Sequence, residues 1–223
     1  MVRQRSVFDI VGPVMIGPSS SHTAGAVRLG ELARAVFGGQ PVSATIRLHG
    51  SFASTGRGHG TDLALVAGLL GMAPDDARIP SALTIAAEEG LHVHFVTADL
   101  GEVHPNTAEF DLTSAAGDRM CVRGSSLGGG DVVISAIDGF EVEANGELPL
   151  LIVDHTDRPG EIAAVTGILA DGGVNIAEMR VSRERRGARA LMLIETDLEV
   201  DDFTAARIGE LAGVSGVRRA PAV

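Results

Sequence analysis

The sequence predicts an α+β protein of two domains, and three observations carry that prediction. Apolar residues recur at helical spacing in some segments and alternate in others. A polar, turn-forming seam, Glu143-Ala144-Asn145-Gly146-Glu147-Leu148-Pro149, separates two strand-like runs. After it comes a tail with the element order βαββαβ, a ferredoxin-like split arrangement. The domains expected are residues 1–147 and 148–223.

In the first domain, Val7–Ile16 reads as extended, and Gly17-Pro18-Ser19-Ser20-Ser21-His22-Thr23 leads into a helix. Val27, Leu29, Leu32, Ala33 and Val36 give that helix its apolar stripe, and Gly38-Gly39 ends it. Val42, Ala44, Ile46 and Leu48 alternate as a half-buried strand. Gly50–Gly60 reads as a glycine-rich loop, after which Thr61-Asp62 caps a helix over Leu63–Leu70. A helix at about Ala82–Glu89 precedes a strand at Leu91–Val96. Two or three further strands run through His104-Pro105-Asn106-Thr107 and Gly124–Gly130.

In the second domain, Leu150-Leu151-Ile152-Val153 is a short apolar strand. Pro159 sits where a first helical turn tolerates it, and Ile162, Val165, Ile168 and Leu169 keep helical spacing up to Gly172-Gly173. Strands follow from Val174-Asn175-Ile176 to about Ser182 and over Ala188–Thr196. Asp201-Asp202 opens a second helix, and Val214–Arg218 supplies the last strand.

Composition removes several function classes. The chain has 223 residues, 45% hydrophobic and 21% charged, enough to bury a core. Seven Phe with no Tyr or Trp offer little for base stacking, and a net charge of −11 repels phosphates, which argues against nucleic acid. All 18 basic residues are Arg. Without lysine the chain forms no side-chain Schiff base, hence no pyridoxal phosphate site of its own, and it has no P-loop lysine. Cys121 stands alone, so the chain holds no internal disulfide, Cys-rich zinc site or iron–sulfur cluster by itself. Between Met120 and Val122 it reads as a small buried hydrophobe. No apolar run reaches the roughly 18 residues of a membrane span. No long apolar segment follows the basic Met1–Arg5, so a cytoplasmic protein is expected.

Three stretches carry chemistry. The serine run Ser19-Ser20-Ser21 before a helix gathers hydroxyls and free N–H groups suited to a carboxylate, and His22 beside it can hold or move a proton near neutral pH. Serine before a helix is also an ordinary cap, but three with a histidine exceed what one cap needs. In Gly56-Arg57-Gly58-His59-Gly60-Thr61-Asp62, Arg57 offers an anion clamp, His59 a titratable group and Asp62 an acceptor, although a glycine loop alone is no more than a turn. The third stretch is Gly124-Ser125-Ser126-Leu127-Gly128-Gly129-Gly130, whose three consecutive glycines are costly in a strand, which suggests backbone pressed against something. His92 and His94 read as the solvated face of their strand.

Two resemblances extend this reading. Asp157-Arg158-Pro159-Gly160 followed by Gly173-Val174-Asn175-Ile176 resembles the ACT domain, a small module that typically binds amino acids between paired copies. The resemblance implies Asp157, Gly160, Asn175 and Ile176 as effector-binding residues and a homodimer through this domain. Gly160 would let a helix N-terminus approach a carboxylate and Asn175 would donate and accept; shaping turns, or serving only as a dimer surface, is the alternative.

Gly12-Pro13, Gly17-Pro18-Ser19-Ser20-Ser21-His22-Thr23, His59-Gly60-Thr61-Asp62, His104-Pro105-Asn106-Thr107 and Ser126-Leu127-Gly128-Gly129-Gly130 together resemble the β chain of bacterial iron–sulfur L-serine dehydratases. That family implies conversion of L-serine to pyruvate and ammonia, with a [4Fe-4S] cluster on the cysteines of a separate α chain in place of pyridoxal phosphate. Taken with the residue chemistry above, it points to His22 and His59 as catalytic, and to Ser19, Ser20, Ser21, Thr23, Arg57, Thr61, Asp62, Asn106, Gly128 and Gly129 as substrate-binding. The first domain is also similar to the allosteric substrate-binding domain of some phosphoglycerate dehydrogenases. A non-catalytic serine-sensing module of another enzyme is the alternative function.

Overall fold

A computed structural model describes residues 14–223. Gly12-Pro13 and most of the extended segment expected at Val7–Ile16 lie outside the described residues. Two compact units result: the described residues up to Asp138 with Glu143–Asn145, and Gly139–Val142 with Gly146–Val223.

The first unit starts with a π-helical turn, Ser20–Ala24, that runs directly into helix α1, Gly25–Phe37. Strand β1 (Ser43–Leu48), helices α2 (Gly50–His59) and α3 (Thr61–Leu69), a 3₁₀ turn (Ile79–Ser81) and helix α4 (Ala82–Glu88) follow. Then come β2 (His92–Thr97), β3 (Thr107–Thr113), β4 (Arg119–Gly128), β5 (Asp131–Ile137) and β6 (Phe140–Ala144), in which the division between units falls. The sheet order is β2-β1-β3-β4-β5-β6, with β1 parallel to β2 and antiparallel to β3.

Helix α1 buries Leu29, Leu32 and Val36 completely, one stripe of a 3.6-residue period, as do Ile46 of β1, Phe110 of β3 and Ile134 of β5. Each such side chain contributes about 1.5–3 kcal/mol of transfer free energy. Helix α1 packs on β4, β5 and α3. Its crossing with α3 is made by glycines: a Cβ on Gly30 would stand 2.2 Å from the Leu65 carbonyl oxygen, and one on Gly68 2.0 Å from that of Val27. Only hydrogen fits between these backbones.

Four expectations are corrected. Gly50–Gly60 is not a loop: Gly50–His59 is a helix. Its glycines oppose helix formation by propensity, but Phe52 is fully buried, and the Thr55 hydroxyl donates to the Ser51 carbonyl at 2.9 Å, so tertiary packing overrides the local preference. Thr61 does not cap α3; the cap is Gly60, and the Thr61 hydroxyl reaches across to another segment. Gly128-Gly129-Gly130 is not compressed. It is the β4–β5 hairpin turn, with φ of 101°, 65° and 91°, and a Cβ at Gly128 would meet open space. Four strands, β3–β6, occupy the region where two or three were expected, because the tight Asp138-Gly139 turn adds another hairpin.

The second unit has β7 (Leu150–Thr156), α5 (Glu161–Asp171), β8 (Ile176–Arg183), β9 (Arg189–Thr196), α6 (Asp202–Gly209) and β10 (Val214–Ala220). The sheet order β10-β7-β9-β8 is wholly antiparallel, the ferredoxin-like arrangement expected. Leu151, Val153, Met192 and Ile194 from the sheet pack with Val165, Leu169 and Ile208 from the helices. Gly160 is the N-cap of α5, so Pro159 precedes the helix rather than joining its first turn. Asp201 caps α6 by accepting from the Thr204 N–H at 2.7 Å.

Candidate functional site

The site is built around the turn at Ser20–Ala24. Ser19 is its N-cap, its Oγ accepting from the His22 N–H at 3.2 Å. Single π turns cost hydrogen-bond geometry and are enriched at functional sites. This one carries the His22 side chain inward to 9% exposure.

Helix α2 meets that imidazole. Its start is anchored by the Ser51 N–H donating to the Pro105 carbonyl at 2.8 Å, which brings His104-Pro105-Asn106-Thr107 against it. Ser51 Oγ lies 3.0 Å and Thr55 Oγ1 3.1 Å from His22 Nε2. On the other side of the ring, Ser21 Oγ lies 3.1 Å from Nδ1. Phe52 presents to the imidazole at 5.4 Å between centroids, nearly perpendicular, and the His59 ring lies 5.0 Å away.

Two buried threonines tie the segments together reciprocally. The Thr61 hydroxyl donates to the His22 carbonyl at 3.1 Å, and the Thr23 hydroxyl to that of His59 at 3.4 Å. Both expected histidines therefore stand side by side. Thr23 and Thr61 serve as ties between their backbones.

The electrostatics favour a neutral imidazole. Burial pushes the His22 pKa below the usual histidine value, and a charge on neighbouring His59 would push it further; hydrogen bonding at Ser51 pulls the other way. Two polar atoms here are buried without a partner, His59 Nδ1 and Ser126 Oγ. Ser126 is wholly buried beside Gly25, where a Cβ would come within 2.0 Å of its hydroxyl. Asn106 pairs with it through backbone, its carbonyl accepting from the Ser126 N–H at 3.0 Å, and through its side-chain amide, donating to the Ser126 carbonyl at 3.4 Å.

The other expected residues are placed differently. Ser19 and Ser21 have their hydroxyls directed within the turn, leaving Ser20 as the serine without a side-chain bond in this network. Asp62 accepts from the Leu63 N–H at 3.0 Å and lines a separate cavity of about 120 Å³ with Leu48, Phe52 and Val96. Gly128 and Gly129 lie in the hairpin turn, and the Arg57 side chain lies outside the described residues. Sequence reasoning missed Ser51, Thr55 and Phe52 as site residues, and it placed Ser126 in a candidate stretch without giving it a role. Ser51 and Thr55 share a face only once Gly50–His59 is helical, so reading that stretch as a loop hid them.

In the second unit, Asp157 accepts from Arg183 at 2.9 Å and from the Gly187 N–H at 3.1 Å, bonds that hold its carboxyl below the usual range. Asn175 donates to Asp197 at 2.7 Å, and Ile176 packs on the core. Gly160 faces open space.

No group of three or more His, Cys, Asp or Glu among the described residues is arranged to hold a metal ion. Cys121 lies on β4 opposite Asp111, half-buried on the polar face of the sheet rather than in an apolar stretch. Burial, followed by the charges of Glu109 and Asp111, raises its thiol to about 12. A lone thiol so protonated does not fit an iron–sulfur cluster. No helix among the described residues is long and apolar enough to cross a membrane.

Comparison with known proteins places the sequence. The family model for the serine dehydratase beta chain matches residues 6–91, and that for the ACT domain matches residues 150–213. A probable L-serine dehydratase, beta chain, of Bacillus subtilis is 43% identical over 98% of this chain and 99% of its own length. The L-serine dehydratase, beta chain, of Peptoniphilus asaccharolyticus is 35% identical over 92% of this chain and 98% of its own. A D-3-phosphoglycerate dehydrogenase of Synechocystis is 26% identical over 94% of this chain and 38% of its own length. With similarity sustained across both units, the chain belongs to the L-serine dehydratase beta-chain family, with an ACT domain as its second unit.

Proposed function

We propose that this chain is the β subunit of an iron–sulfur L-serine ammonia-lyase, converting L-serine to pyruvate and ammonia with a cysteine-rich α chain and inactive without it. The observation that carries the reading is the His22 site: a buried imidazole, its pKa lowered by that burial, beside His59, with His59 Nδ1 and Ser126 Oγ buried and unpartnered, as polar groups awaiting a ligand are. Dehydration of serine removes the Cα proton and expels the hydroxyl. His22, uncharged near neutrality, is suited to take up a proton, and the unpaired N–H groups that open the turn, with the Ser20 hydroxyl, suit a carboxylate. A [4Fe-4S] cluster would supply the Lewis acid; the donors of this chain do not fit it, so its ligands belong to the α chain. The ACT domain would take a small amino acid and pair two copies of the chain.

The test is anaerobic co-expression with an α chain, scored by pyruvate formation. The isolated chain should be colourless and inactive, the assembled enzyme brown and active. His22→Asn should lower kcat by about 10²–10⁴-fold, the range of general acid–base catalysis. Serine turnover by the isolated chain, or an unimpaired His22→Asn enzyme, would defeat the proposal.

A further inference from the structure

Counting hydrogens around His22 assigns its protonated nitrogen. Thr55 Oγ1 lies 2.9 Å from the Ser51 carbonyl oxygen, which can only accept, so the Thr55 hydroxyl hydrogen is committed there. The Thr55 oxygen is left to accept. The Ser51 hydroxyl, 3.2 Å away, can also donate to that oxygen, but a bare His22 Nε2 at 3.1 Å would set its lone pair against it, so Nε2 takes the hydrogen, with Ser51 Oγ at 3.0 Å as its second acceptor. A neutral imidazole has one N–H, so Nδ1 is bare and Ser21 donates to it at 3.1 Å. Upstream, Ser19 Oγ accepts from the His22 N–H and lies 3.4 Å from Ser21 Oγ, its own hydrogen free to turn that way. The chain of hydroxyls runs in one direction from Ser19 to Ser51.

We propose that Thr55 and Ser51 are positioning residues for His22: they fix the ring as its Nε2–H form and turn the basic Nδ1 toward Ser21 and the serine run. Neither is expected to touch substrate. For its kinetic consequence the inference rests on the serine reading above; the hydrogen-bond assignment itself does not. The titratable group facing His22 is His59, while the other side chains against the ring are Phe52 and the hydroxyls.

Two substitutions at one position separate oxygen from shape. Thr55→Val keeps the branched shape and loses the acceptor; Thr55→Ser keeps the acceptor and loses the methyl. In the isolated full-length chain, proton NMR follows the His22 ring, assigned by its loss in His22→Asn. Hydroxyl oxygens accept more strongly from an imidazolium than from neutral imidazole, so Thr55→Val should move the His22 titration midpoint down, and Ser51→Ala with Thr55→Val further. In the assembled enzyme Thr55→Val should lower kcat by about 10- to 100-fold with KM little changed, between the loss of a neutral hydrogen bond and a ring displaced by an ångström. Thr55→Ser should restore both readouts. Thr55→Ser as damaging as Thr55→Val, or Thr55→Val with an unmoved midpoint, would overturn the inference. A wild-type assembly that does not act on serine would sink the functional reading instead, and the midpoint would still decide the positioning.

Discussion

Replacing Gly68 by Ala sets two effects of opposite sign against each other. By helix propensity alone, Ala in α3 stabilises by about 0.8–1.0 kcal/mol. The crossing with α1 says otherwise. The new methyl would stand 2.0 Å from the Val27 carbonyl oxygen, 2.6 Å from the Glu31 nitrogen and 2.9 Å from the Gly30 carbonyl carbon. Ordinary contact begins at 3.4 Å, so the helices must part by the difference between 3.4 and 2.0 Å, about 1.4 Å. Every obstacle is backbone, and no rotamer change relieves it. Overpacking typically costs about 1–3 kcal/mol, and this geometry belongs at the upper end. The net loss is about 1–2 kcal/mol, or a Tm lower by about 2–8 °C for a chain of this size. Scanning calorimetry of the full chain, following the transition of the first unit, measures it. Gly30→Ala should behave alike, and the double variant should cost less than the sum, since one separation accommodates both methyls. A higher Tm for Gly68→Ala would mean that propensity rules and that the crossing is not the tight contact described.

Because the folded-state pKa of His22 is depressed, its contribution to stability is present above the unfolded value near 6.5 and lost as pH falls through the folded value; the first unit should melt progressively earlier below about pH 6.5, and His22→Asn should flatten that slope. Cys121, held near 12, should alkylate slowly at pH 7, and Cys121→Ser should leave the iron content of the assembled enzyme unchanged by metal analysis. Asp157 and Asp201 both have lowered pKa values, so the second unit should lose stability as pH falls through the acidic range, and Asp201→Ala should lower its Tm by removing the cap of α6.

What the sequence disclosed depended on which local signal agreed with the tertiary outcome. The βαββαβ order of the second unit was legible because Val165, Ile168 and Leu169 keep helical spacing and Asp201 is a cap by type and position. His92 and His94 were legible as exposed, alternating with the more buried Val93 and Phe95. The Gly50–His59 helix was not, because its glycines speak against a helix while the burial of Phe52 is a long-range fact. The same error hid Ser51 and Thr55. Ser19-Ser20-Ser21-His22 announced a site, but the partners of His22 Nε2, Ser51 and Thr55, stand about 30 residues away, beyond any local pattern.

The reciprocal threonine bonds have a consequence for how the site opens. Thr23 with His59, and Thr61 with His22, join segments 36 and 39 residues apart in sequence, and each segment continues into α1 or α3, the two helices whose glycines interlock. The imidazole pair therefore cannot loosen by the fraying of one loop; exposing it means breaking contacts of the helical core. Amides in 22–26 and 62–66 should exchange with solvent deuterium only as slowly as those of α1 and α3, as one cooperative foldon. A molecule bound there would be felt by that whole unit, raising its global unfolding free energy by mass action rather than ordering a flap.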